Sequence, residues 1–179
     1  MDRTPASEAG NVGSTPTGNT PMLTQINHNL FYDERSAGGL VFRHNNQNIL
    51  WLLIKTIGKN KYRRPIYKFP KGHLLANEFL KAAALREVEE EGRIKAKIIA
   101  KIGSNNYVLY DKIQHHKTVK RVTFFLMEYL SDSPLRHFDK EIVLDRQWLA
   151  YDDACRLLAY DSEKILLKKA KSKLDSLKI

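Results

Sequence analysis

Cysteine is almost absent from this chain. Of 179 residues only Cys155 is a cysteine, so no internal disulfide can form and no thiolate cluster can hold zinc. No stretch approaches the ~18 consecutive apolar residues that a membrane-spanning helix needs. The first twenty residues lack the apolar centre of a secretory signal. No internal repeat is visible, which sets aside solenoids and propellers. These absences point to a reducing, cytoplasmic setting and to a chain that must fold on its own core. A hydrophobic content of 42% over this length suffices for one domain.

Acidic residues are the scarcer sign of charge. Thirty Lys and Arg stand against 20 Asp and Glu, for a formal net charge of +10. Such a balance favours polyanions: nucleotides, inositol phosphates or nucleic acid. Much of the excess, however, lies on one C-terminal helix and on alternating strand positions, where a solvated lysine is the simpler explanation. Residues 1–21 are rich in Gly, Pro, Ser, Thr and Asn and read as a disordered tail. Residues 22–179 are expected to form the domain.

Within this basic chain the acids crowd into one place, KFPKGHLLANEFLKAAALREVEEEGRI, from Lys68 to Ile94. Ala82, Ala83, Ala84 and Leu85 favour a helix, and Phe79, Leu80, Ala83, Ala84 and Val88 recur at its spacing. Gly92 is expected to close it in the left-handed conformation. Residues three and four apart share a helix face, so Glu87, Glu90 and Glu91 converge while Glu89 points away. Carboxylates in such a patch repel one another unless a cation joins them, and hard oxygen donors suit Mg²⁺ or Mn²⁺ better than Zn²⁺. Phe69-Pro70-Lys71-Gly72 just upstream offers a rigid turn, a cation and a glycine that lets backbone approach a ligand. A solvated acidic face is the plain alternative.

The remaining chain reads as strands at Ser36–Phe42 and Ile49–Ile54, joined by a polar turn at 44–48, and then a basic loop holding Lys59, Lys61, Arg63 and Arg64. After the helix, Ile94, Ala96, Ile98, Ala100 and Ile102 alternate with lysines as one strand. A separate short strand is expected at Asn106–Asp111, followed by strands at Val119–Leu130 and Ile142–Leu149. Asp152 or Asp153 is expected to cap a helix. A final helix from Asp161 or Ser162 carries Ile165, Leu166, Leu167, Ala170, Leu174 and Leu177 as its apolar stripe. The order implies a mixed sheet covered by helices.

Gly72, five residues, Glu78, seven residues, then Arg86-Glu87-Val88 with Glu90, Glu91 and Ile94 resembles the box of the Nudix hydrolase superfamily, MutT-like, nearest its diadenosine polyphosphate hydrolase branch. One position departs: Arg93 stands where the family has a second glycine. The resemblance implies an α/β fold, a Nudix-type α/β/α sandwich with a mixed β-sheet. It also implies a Mg²⁺- or Mn²⁺-dependent hydrolase of phosphoanhydrides, the metal held by Glu87, Glu90, Glu91 and the Gly72 carbonyl. Arg86 would orient a box glutamate with help from Glu78. The general base would be Glu87 or, second, a loop acid such as Glu141. Lys71, and then Lys117, would contact phosphate.

Within that superfamily, a tyrosine sixteen to eighteen residues past the box is associated with dinucleoside polyphosphate hydrolases. Tyr110 falls sixteen past Ile94, with Tyr107 nearby, and either ring could stack on adenine. The leading substrate is thus a dinucleoside polyphosphate such as diadenosine tetraphosphate. Oxidised nucleoside triphosphates, diphosphoinositol polyphosphates and a non-catalytic nucleotide- or RNA-binding role are the alternatives. The expected partner is a small nucleotide or polyphosphate, not a membrane or a nucleic acid, with the chain a monomer or homodimer.

Overall fold

In the computed structural model, β1 (Glu34–Asn45) and β2 (Asn48–Ile57) form a hairpin that stays paired only from Asn45↔Asn48 to Phe42↔Trp51. The structure describes residues 34–46, 48–57, 64–111, 116–134 and 143–178, with backbone alone at 109–111 and 116–117. The expected tail, most of the basic loop, and Glu141 lie outside the described residues. Asn46 supplies the hairpin's left-handed residue at φ 55°, a conformation asparagine tolerates.

Beyond Trp51 the two strands diverge, and a second pair fills the fork. β3 (Pro65–Lys68) pairs antiparallel with β2 at Ile54–Ile57, and β4 (Lys71–His73) pairs antiparallel with β1 at Ser36–Gly38. On its other edge β1 runs parallel to β6 (His116–Asp132), which pairs antiparallel with β5 (Ile94–Asp111). β7 (Val143–Leu149) covers the other edge of β2. The sheet is therefore mixed, ordered β3-β2-β1-β6-β5 with β4 on β1 and β7 on β2.

Helices close both faces, giving α/β/α layers. Alternation along each strand sends side chains to opposite sides. Ala37 and Val41 of β1 meet Leu52, Phe125, Met127 and the buried Ala83, Ala84 and Val88 of α1 (Leu80–Gly92). Leu40 and Phe42 join Trp51, Leu53, Phe124 and Leu126 under α2 (Tyr151–Leu157) and α3 (Asp161–Leu177). Gly38 and Gly39 each clear one side of β1. A Cβ on Gly39 would lie 2.6 Å from Val88 of α1, and one on Gly38 would lie 2.4 Å from the Pro70 carbonyl oxygen.

Four expectations are corrected. The two strands foreseen between Ile94 and Asp111 are one, because register shifts at Lys95/Ala96, Ile98/Ala100 and Lys101/Gly103 absorb the irregular stretch as bulges. These shifts also turn Ile98 toward the α1 core but Ile99 and Ile102 toward the α3 core. Gly92 does not end α1 as a left-handed residue. It is the last helical residue, seated 3.0 Å (from a built Cβ) off Leu52, and Arg93 takes φ 54°. The arginine at the family's glycine position therefore adopts the conformation glycine serves best. Asp152 and Asp153 make no side-chain cap and sit in the first turn of α2, where their charge suits the helix dipole. On α3, Leu166, Leu167, Ala170 and Leu174 are buried, whereas Ile165 and Leu177 face outward.

Candidate active site

The wedge of β3 and β4 carries the turn Phe69–Lys71, and three elements hold its backbone. The Gly39 amide of β1 donates to the Pro70 carbonyl at 3.1 Å. The Lys71 amide donates to Glu91 Oε2 of α1 at 2.8 Å. The Phe69 amide donates to Glu163 Oε2 of α3 at 3.1 Å. The tip of the fork is thus stitched to both helical layers.

On the α1 side, Glu87 lies flush against Gly72. A Cβ there would come within 2.1 Å of the Glu87 carboxyl carbon, so only glycine permits this approach. Arg86 organises the acids around it. Its Nε and Nη2 grip both oxygens of Glu78 at 2.9 and 2.8 Å, and Nη2 also reaches the His73 carbonyl at 2.9 Å. Its Nη1 reaches Glu87 Oε1 at 2.7 Å and Glu90 Oε2 at 3.1 Å. Every N–H direction of the guanidinium is thereby used. Glu78 closes the preceding loop by accepting from the Leu75 amide at 3.0 Å while its own amide donates to Leu75 O at 3.1 Å.

The electrostatics follow the contacts. Arg86 holds the Glu78 carboxyl below the ordinary value, with the Leu75 amide assisting. Burial pushes the Glu87 carboxyl up against the pull of Arg86. The acids raise Arg86 further above its already high value. Glu89 points elsewhere and accepts from Ser133 Oγ at 2.7 Å, as its helical position demands. Arg146 Nε of β7 donates to the Glu91 carbonyl at 2.7 Å, satisfying the last turn of α1.

Among the described residues no three His, Cys, Asp or Glu side chains are already gathered into a cage for a cation. Glu87 and Glu90 are engaged by Arg86, and Glu91 by the Lys71 amide. The donor set nevertheless fits a hard divalent ion. All the donors are oxygens, the carboxylates outnumber the single arginine among them, and Gly72 leaves its backbone open beside Glu87.

The α3 side of β4 differs. Lys71 extends here, not toward Glu87, with Nζ 3.8 Å from Glu163 Oε1. His73 Nε2 lies 3.1 Å from Glu34 Oε2 and 2.7 Å from Lys120 Nζ, and Lys120 pairs with Glu34 at 3.2 Å. A neutral ring carries either a proton or a lone pair at Nε2, so His73 donates to Glu34 or accepts from Lys120, not both. His73, then Lys120, hold the Glu34 carboxyl below its ordinary value. Tyr107 is directly opposite Lys120 in the ladder, and its hydroxyl accepts from Asn105 Nδ2 at 3.3 Å. Tyr110 and Lys117 face each other three residues farther along, past the described start of β1.

The contacts join Arg86 to Glu78, Glu87 and Glu90, Glu87 to Gly72 and Glu91 to the Lys71 amide, while Lys120, Glu34 and Glu163 were not foreseen from the sequence. Signals for two of them existed. Lys120 is in period-two step with Val122, Phe124 and Leu126, a lysine at the end of an apolar strand face. Glu163 stands three and four residues before Leu166 and Leu167, an acid on the apolar stripe of α3. Glu34 lies in a stretch without a pattern of its own.

Known proteins resemble this chain in sequence and in fold. The chain is 32% identical over 147 residues to a protein of Mycobacterium tuberculosis (strain CDC 1551 / Oshkosh) provisionally named mutator protein MutT4, covering 80% of this chain but 57% of that protein. It is 29% identical over 149 residues to the asymmetrical bis(5'-nucleosyl)-tetraphosphatase of Sus scrofa, covering 75% of this chain and 90% of that one. Similar solved structures include a NUDIX hydrolase from Nitrosomonas europaea (TM-score 0.59, 17% identity, 78% of this chain and 89% of that one). Another is a C. elegans Ap4A hydrolase (TM-score 0.56, 23% identity, 79% and 98%). The family model described as NUDIX domain matches residues 33–169, most of the chain, and this protein therefore belongs to the NUDIX family.

Proposed function

We propose that this protein hydrolyses a phosphoanhydride bond in a nucleotide substrate, most specifically a dinucleoside polyphosphate such as diadenosine tetraphosphate. The observation that carries the reading is the Arg86 hub, which joins Glu78, Glu87 and Glu90, with Glu87 set against the Gly72 backbone. Glu87, Glu90, Glu91 and the Gly72 carbonyl would hold Mg²⁺ or Mn²⁺. When bound, such an ion neutralises phosphoryl charge and acidifies a coordinated water.

The chain's own residues divide the remaining work. Arg86 keeps Glu87 and Glu90 pointed to one place, the arrangement that positions groups before the reaction begins. Glu87, its carboxyl raised by burial, is the first candidate to accept a proton from the attacking water, and Glu141 is the second. Lys120 and His73, with Lys71 behind them, are assigned to the polyphosphate chain on the α3 side of β4. Tyr107, opposite Lys120, is assigned to a base, with Tyr110 and Lys117 farther out on the same ladder. The named activity of the pig relative supports this substrate class.

Among the described residues no helix is long and apolar enough to cross a membrane. A hydrolysis panel with Mg²⁺ tests the reading, covering diadenosine tetraphosphate, oxidised nucleoside triphosphates, diphosphoinositol polyphosphates and ADP-ribose. Preferential cleavage of the dinucleotide is expected. Inertness toward every member of the panel overturns the reading.

A further inference from the structure

We propose that Glu163 of the C-terminal helix is a positioning residue for the site. It holds the Phe69–Lys71 turn from the α3 face, and so fixes where the Lys71 amide and the Gly72 carbonyl present themselves to α1. Glu163 is 0% exposed and lies on the stripe that Leu166, Leu167, Ala170 and Leu174 fill. An ionisable acid at such a depth costs folding free energy unless something requires it. It makes no side-chain cap bond to α3, although a first-turn acid also suits the helix dipole. The carboxylate serves the turn: Oε2 accepts from the Phe69 amide, and Oε1, without a hydrogen bond, faces Lys71 Nζ at 3.8 Å.

Phe69 is itself fully buried and belongs to neither β3 nor β4, so without Glu163 its amide would be orphaned. The start of α3 is registered on the same wedge. Leu158 bridges Tyr67, and the Ala159 amide donates to Tyr67 O at 3.1 Å. The carboxylate and the turn are therefore set by one local framework, and two residues after Phe69 the chain donates to Glu91 at 2.8 Å. Through that path α3 reaches the backbone that α1 meets.

Three variants of the full chain separate this role from packing: Glu163→Gln keeps an acceptor for Phe69, Glu163→Leu removes it, and Leu167→Ala disturbs the same helix while leaving that acceptor in place. Amide hydrogen exchange reads the anchor directly and needs no metal. Exchange at Phe69 is expected to quicken about ten- to a hundredfold in Glu163→Leu, the loss of one buried acceptor. In Glu163→Gln and Leu167→Ala, exchange there relative to global stability should stay unchanged. Equal protection in Glu163→Leu and wild type overturns the proposal.

The consequence for the site rests on the cation reading given above and is measured by Mn²⁺ titration calorimetry. Glu163→Leu should bind about tenfold more weakly and Glu163→Gln within about threefold of wild type, as for residues that orient metal ligands. A Leu167→Ala protein as weak as Glu163→Leu would overturn the positioning role. A wild-type protein that binds no Mn²⁺ would sink the metal reading instead, leaving the exchange result to decide on Glu163.

Discussion

The two sides of β4 set the same residue type in opposite circumstances. Toward α1, Glu78, Glu87 and Glu90 share one arginine at the sheet's open end, each with an oxygen within 3.1 Å of it. Toward α3, Glu163 is sealed in hydrocarbon with a backbone amide and a distant lysine. A cluster around a shared cation retains lone pairs for another one, whereas a lone buried carboxylate spends its charge on holding the chain still. Identity of side chain therefore says little about role here, and surroundings say most.

The contrast is sharpest if the α1 acids are neutralised. Glu90→Gln with Glu91→Gln should lower turnover about a thousandfold, equivalent to several kcal/mol of transition-state stabilisation, while the melting temperature stays near wild type. Steady-state kinetics beside a thermal melt measures both, and unimpaired turnover would erase the functional difference between the faces.

Leu167→Ala makes the opposite experiment on the α3 side. It should cost about 3 kcal/mol of stability, as buried leucines do, with kcat/KM per folded molecule unchanged. Urea unfolding and kinetics on the same preparation test this. Gly72→Ala probes the boundary. Its Cβ would strike Glu87, so activity and Mn²⁺ affinity should fall together by about ten- to a hundredfold.

A pH series separates the faces more finely. Burial holds Glu163 above its ordinary 4.5, against Lys71 and Lys68, so the folded chain binds a proton that the unfolded chain releases. Stability from this group is present below that value and declines as pH rises toward the folded one. In Glu163→Gln the slope should shrink, which urea midpoints between about pH 4 and about pH 7 would reveal. The smallest effect belongs to the helix exit. Arg93→Gly should add up to about 1 kcal/mol by relieving φ 54°, seen as a modest rise in melting temperature.

Legibility in the sequence followed the range of the interactions. Glu87, Glu90 and Arg86 are within one helical turn, so spacing alone brings them together. Gly72 and Glu78 are joined to them by a short loop at fixed intervals. Glu163 meets Phe69 across 94 residues, and Lys120 meets His73 across 47, contacts that only the topology creates. The single strand from Ile94 to Asp111 was hidden for another reason: bulges break the period-two signal while the ladder continues. Arg93 misled because composition names glycine for a left-handed exit, whereas the helix ran on until Gly92 had passed Leu52.

The fork between β1 and β2 has a mechanical consequence. Because β3 and β4 are wedged into it and paired to both prongs, Phe69–Gly72 inherits the stiffness of the whole sheet although it is a bend. A tool built on such a wedge keeps its cutting edge aligned when the handle is changed, so new specificity would be carved from strand ends and flanking loops, leaving the bend as the fixed jaw.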